Sequence, residues 1–272
     1  MPAPFETQAI HVEPDGPVDW LTLNRPDHLN SLDPVMIDEL QRYFLHLYTA
    51  PEVRIVVIRG AGRAYCAGLD LKHERRQNQS VANTGPAAGL RAQRAISEIV
   101  MRMRRCPQPI LSLVHGPACG GGFALALASD FRIAGESARM NAAFIKLGLG
   151  GCDIGVSYFL PRLVGVSVAS ELLLTGRFIK ASRAERVGLV SEVVPDEKLT
   201  EAARPYIEEM LATSPLGLRL TKDCLNHSVD AGSLEAAIAM EDRNQILCSQ
   251  THDLKEGVAA FLEKRSPNWS DA

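Results

Sequence analysis

Near the start of the chain apolar and polar residues alternate in short runs, and past Asp33 the apolar ones fall into helical spacing. Gln8-Ala9-Ile10-His11-Val12 and Val18-Asp19-Trp20-Leu21-Thr22-Leu23 flank an Asp15-Gly16 turn signal, which predicts a hairpin. Asp33 and Pro34 read as the N-cap and first residue of a helix: the aspartate can accept from an orphan N–H, and proline has none to lose. Leu40, Phe44 and Leu47 then recur at i, i+4 and i+7, one apolar face. Residues 54–58 and 110–115 read as buried strands, each running into a glycine-rich loop. Between them, residues 73–90 are polar and rich in helix breakers, which predicts a mobile loop beside the site. From about Ser182 the pattern turns helical, over 201–212, 217–228, 233–250 and 254–264. The expectation is an α/β core over residues 1–195, followed by a C-terminal helical region over 196–272.

Composition narrows the function. Of 272 residues 46% are apolar and the net charge is −3, so the core is sizeable and no basic stripe invites nucleic acid. The six cysteines (Cys66, Cys106, Cys119, Cys152, Cys224, Cys248) form no CxxC pair and read as reduced thiols rather than a metal site. The first residues have no basic-then-apolar leader, and no run approaches the length of a membrane span. A cytoplasmic protein without a bound metal is expected. Gly-x-Ser-x-Gly, Walker and dinucleotide spacings are missing, so neither a serine nucleophile nor a nucleotide cofactor is implied.

The candidate chemistry sits in two loops. Cys119-Gly120-Gly121-Gly122 opens into the apolar run Phe123-Ala124-Leu125-Ala126-Leu127-Ala128, although glycine is a poor helix former. Bare backbone at a helix N-terminus can approach an anion or a developing oxyanion. The matching loop is Gly60-Ala61-Gly62-Arg63-Ala64-Tyr65-Cys66-Ala67-Gly68-Leu69-Asp70-Leu71-Lys72. Each can supply one N–H to a single carbonyl oxygen. The bland alternative for the triplet is close helix–strand packing.

These loops, with Leu23-Asn24-Arg25-Pro26, Asn30-Ser31-Leu32, His115-Gly116-Pro117-Ala118, Leu173-Leu174-Thr175-Gly176-Arg177 and Gly188-Leu189-Val190, resemble the crotonase (enoyl-CoA hydratase/isomerase) family over essentially the whole length. The resemblance implies a spiral of ββα units with a C-terminal helical trimerisation region, assembled as a trimer or a dimer of trimers. It implies an acyl-CoA thioester as ligand, CoA entering as part of the substrate and not as a separate cofactor. It assigns the oxyanion donors to the backbone N–H groups of Leu69 and Gly121. Ala67, Leu69, Asp70, Leu71 and Lys72 would line the CoA path, and Phe261 and Lys264 would reach the CoA of a neighbouring subunit.

The pattern also departs from the family. Hydratases of this group hold a water between two glutamates, at positions that here are Ala124 and Phe144. Neither side chain can orient water or move a proton. Asp153, in Gly151-Cys152-Asp153-Ile154-Gly155, resembles the catalytic aspartate of relatives that isomerise dienoyl-CoA or dehalogenate a chlorobenzoyl-CoA, with one extra residue before it. Its bland alternative is a cap or turn residue. Asp130 and His115 read as structural, and Cys66, Cys119 and Cys152 as inert thiols. The sequence thus favours double-bond isomerisation by one aspartate over two-glutamate hydration. A catalytically silent acyl-CoA binder, or another reaction of the family, stays open.

Overall fold

A computed structural model describes residues 6–72 and 85–272. Its strands are β1 (Ile10–Asp15), β2 (Val18–Leu23), β3 (Ile55–Gly60), β4 (Ile110–Val114), β5 (Pro117–Cys119), β6 (Phe131–Gly135), β7 (Arg139–Asn141), β8 (Ile179–Lys180) and β9 (Glu192–Val194). The main sheet runs β1-β2-β3-β4-β6-β9, and β5-β7-β8 form a second, smaller sheet. The hairpin is as expected, with Ile10 opposite Leu23, and every later pairing in the main sheet is parallel.

Parallel strands buried on both faces carry unbroken apolar runs, as β3 does. Val56 and Ile58 point into a core shared with Leu40 and Phe44 of the Pro34–His46 helix, with Leu47 just past its end, and with Ile99 and Met103 of the Pro86–Arg105 helix. Ile55 and Val57 point the other way, against Leu199, Ala203 and Ile207 of the Leu199–Leu211 helix. The N-cap reading also holds: Asp33 Oδ1 accepts from Met36 N at 2.9 Å.

Two expectations need correction. The helical run from Ser182 is interrupted by β9, which pairs with β6. Beyond residue 195 the Leu199–Leu211 helix packs on the sheet face formed by Ile55 and Val57. The loop predicted over 73–90 falls mostly outside the described residues, and its last part is different: Pro86 opens a helix that runs to Arg105. Three further helices, Pro215–Ser228, Leu234–Ser249 and His252–Glu263, complete the chain. Lys222 tethers the first of them to the core, donating to Met103 O at 3.0 Å and Gln108 O at 2.7 Å beside Asp130.

By length and composition the Val156–Thr175 segment could cross a membrane. It is not a straight rod. Gly165 leaves helical geometry at φ 76°, ψ 159°, and Val156, Leu160, Ala169 and Leu172 are buried against the core.

Candidate active site

The two glycine loops meet because residues 66–70 are held along both edges. On one side Ala67 N donates to Leu29 O (2.9 Å), Leu32 N to Gly68 O (2.7 Å) and Asp70 N to Leu32 O (2.9 Å). On the other, Cys66 N donates to Pro117 O (3.1 Å) and Cys119 N to Cys66 O (2.9 Å). Asn30, buried and left-handed at φ 54°, sends Nδ2 to the carbonyls of Ala61 and Ala64, each at 2.8 Å. Tyr65 reaches the main sheet through Ser112 at 2.8 Å, and Ser112 reaches Ser129 at 2.7 Å. These contacts satisfy buried polar groups that would otherwise cost stability, so they also fix the loop.

Each glycine of the triplet has its own reason. Gly120 sits at φ 51°, ψ −115°, a backbone that side chains resist. A Cβ on Gly122 would lie 2.1 Å from Cys66 O, so this residue is purely a packing requirement. At Gly121 a Cβ would meet Leu32 Cδ1 at 2.8 Å, and Gly68 Cα stands 3.9 Å from that point. Gly121 begins the fully buried Gly121–Ala128 helix. Among the described residues, neither Leu69 N–H nor Gly121 N–H has an acceptor in the protein. Two unspent donors therefore sit on touching loops, one of them at the positive end of a helix.

Asp153 precedes a residue that reaches the glycine triplet. The Ile154 side chain comes within 3.8 Å of where a Gly121 Cβ would stand. Ile154 is left-handed at φ 47°, rare for a β-branched residue, and Gly155 follows at φ 81°. Asp153 is not a helix cap, since the N-cap of the Val156–Thr175 segment is Gly155, but it does open a turn: Val156 N donates to Asp153 O at 2.9 Å. Its carboxylate instead accepts from Gln93 Nε2, on the Pro86–Arg105 helix. Burial pushes the Asp153 pKa up, partly offset by the Ile154 backbone N–H and the Gln93 amide. Ala124 is fully buried, and the Phe144 ring, 8% exposed, packs over Gly120.

The remaining candidates divide. Ala67, Leu69, Leu71 and Lys72 share the first loop, with Leu71 half exposed. Asp70 belongs to that loop but is turned inward, 6% exposed, with Oδ2 3.0 Å from Arg25 Nη2. Phe261 and Lys264 are not brought to these loops within one chain. Phe261 is exposed beside a 400 Å³ cavity lined by Thr213, Cys248 and Trp269, and Lys264 ends the last helix in a left-handed conformation. Asp130 is structural, accepting from Ile110 N at 2.7 Å, and His115 Nε2 is 2.8 Å from Gly62 O. Burial pushes the thiols of Cys66 and Cys119 up to about 12 and about 11. Sequence reasoning missed Gln93. Nothing in its surroundings marks it, since its relevance depends on a contact with Asp153 sixty positions away.

The chain matches the enoyl-CoA hydratase/isomerase family model over residues 15–272. The chain belongs to that family. It is 40% identical to the "Probable enoyl-CoA hydratase EchA12" of Mycobacterium tuberculosis H37Rv, covering 92% of this chain and 88% of that one. It is 36% identical to the 1,2-epoxyphenylacetyl-CoA isomerase of Escherichia coli, covering 92% and 94%. Among solved structures, the enoyl-CoA hydratase of Bacillus anthracis superposes with a TM-score of 0.90 at 34% identity, over 97% of this chain and all of that one.

Proposed function

We propose that the protein shifts a double bond in an acyl-CoA thioester, with Asp153 as the single proton carrier. The carboxylate removes an acidic proton from the acyl chain. The electron pair moves onto the thioester oxygen, and Leu69 N–H and Gly121 N–H hold that oxyanion. The protonated Asp153 then returns the proton at the other end of the allyl system, so acid and base are the same group and no water is consumed. The observation carrying this reading is the carboxylate's setting. Asp153 is half-buried and tied to Gln93, whereas Ala124 and Phe144 leave a hydrating water nothing to be oriented by. Each lost oxyanion donor would cost about 3 kcal/mol of transition-state stabilisation.

A relative named as an isomerase of an aryl-acetyl thioester supports an acyl group of aromatic type beside Phe144. The apolar residues exposed on the last helices, Leu234, Ile246, Phe261 and Leu262 among them, support a homo-oligomer, a trimer or a dimer of trimers. Light scattering on the purified protein checks that assembly.

The test of the reaction follows absorbance at the enoyl-thioester band with crotonyl-CoA, a 3-enoyl-CoA and a dienoyl-CoA in parallel. Change with the 3-enoyl or dienoyl substrate alone, lost in Asp153→Asn, is the expected result. Loss of the crotonyl-CoA signal would mean that hydration proceeds without the two glutamates and would overturn the reading.

A further inference from the structure

We infer that Gln93 is a positioning residue for the reaction, holding Asp153 ionised and aimed; this rests on Asp153 acting as the base. Three features converge on that carboxylate. Gln93 Nε2 donates to Asp153 Oδ1, a bond in which the acceptor is charged only when Asp153 is ready to take a proton. Ile154 and Gly155, both left-handed, turn the chain immediately after Asp153, so its direction is set by backbone as well as by the amide. The backbone of Gln93 is fixed: its main-chain carbonyl oxygen accepts from Ser97 Oγ at 3.1 Å, and the residue stands within the Pro86–Arg105 helix, which packs on the core through Ile99, Val100 and Met103.

The chemistry explains why an amide suits this place. Burial disfavours the charged carboxylate, and a neutral donor offsets part of that penalty without the strong stabilisation a cation would bring. A lysine or arginine at position 93 would make Asp153 too weak a base. An amide leaves it basic yet ionised. It also suits the other half of the cycle, because an amide that rotates can accept from the protonated acid through its oxygen. Asp153 alternates between those two states in each turnover, and Gln93 can bond to both.

The test uses Gln93→Met, close in volume but without a donor, and Gln93→Glu, which adds a like charge. The first measurement is the pH profile of kcat/KM on the 3-enoyl-CoA. Both variants should move the acid limb to higher pH, Glu further than Met. Activity at a fixed pH on that limb should fall about tenfold for each pH unit the limb moves, with KM little changed. The second measurement is the carboxyl ¹³C titration of Asp153 in wild type and Gln93→Met, which needs no turnover; its midpoint should rise in the variant. An unmoved midpoint, or an unmoved acid limb in an enzyme that Asp153→Asn silences, overturns the assignment of Gln93 alone. Full turnover in Asp153→Asn removes the base itself, and the role of Gln93 with it.

Discussion

Asn30 Nδ2 donates to Ala64 O over 2.8 Å, from a residue whose own backbone is left-handed. That bond ties the turn after β2 to the loop that carries Leu69. Its contact to Ala61 O serves the same loop, while its Oδ1 accepts from Arg25 N and closes the turn itself. Asparagine is one of the few residues that accepts this backbone readily while offering both a donor and an acceptor.

Asn30→Ala removes all three bonds and places alanine at φ 54°. The expected loss is about 3 kcal/mol, near 1 kcal/mol per bond. Urea unfolding should show a lower midpoint with an unchanged slope. Catalysis should fall more than stability, because the loop bearing one oxyanion donor loses its anchor.

Arg25 is the second clamp. Its Nη2 stands 3.0 Å from Asp70 Oδ2 and 3.3 Å from Asp33 Oδ2, with all three side chains largely buried. Arg25→Met should cost about 3 kcal/mol, since two buried carboxylates would lose their shared cation. Asp70→Asn in the same background should recover part of that loss in a thermal melt.

The glycine triplet should respond unevenly to alanine. At Gly122 the new methyl meets a backbone carbonyl at 2.1 Å, which only a shift of the loop could relieve. At Gly121 it meets the end of the Leu32 side chain at 2.8 Å, and that end can rotate. Gly122→Ala should therefore fail to accumulate as folded protein. Gly121→Ala should fold and bind an acyl-CoA less well. Expression yield, circular dichroism and calorimetric titration separate the two outcomes.

Asp153 links pH to both rate and stability. Its pKa in the fold lies above the ordinary value of 3.8, because burial penalises the charge. A base must be ionised, so the rate should rise with pH through a limb above 3.8. Stability runs the opposite way. A raised carboxylate pKa contributes stability that is fully present below the unfolded value and lost as pH rises through the folded one. Asp153→Asn should accordingly raise Tm relative to wild type at neutral pH, and the gap should close under acid conditions. A variant inactive yet more stable is the expected pairing; a Tm that falls equally at both pH values would contradict it.

Much of this was legible in the order of residues. The Asp33-Pro34 start, the Leu40-Phe44-Leu47 face and the Asp15-Gly16 hairpin depend on neighbours within a few positions, and local preferences decided them. The two glycine loops were visible because glycine is costly unless backbone must come close. The absence of carboxylates at Ala124 and Phe144 was equally plain, since chemistry missing from a side chain cannot be restored by folding. Other features needed the tertiary structure. Gly122 answers to Cys66 O and Gly121 to Leu32, a distinction that composition cannot make. Asp70 turns inward only because Arg25, forty-five positions earlier, stands beside it. The Leu199–Leu211 helix belongs with the sheet only because Ile55 and Val57 leave a face to cover. Gln93 acquires a meaning only when the fold sets it against Asp153. Sequence determined what each segment could become and which chemistry it carried. Packing decided which distant groups share a site, because close contact between remote residues is a property of the folded chain and not of local preference.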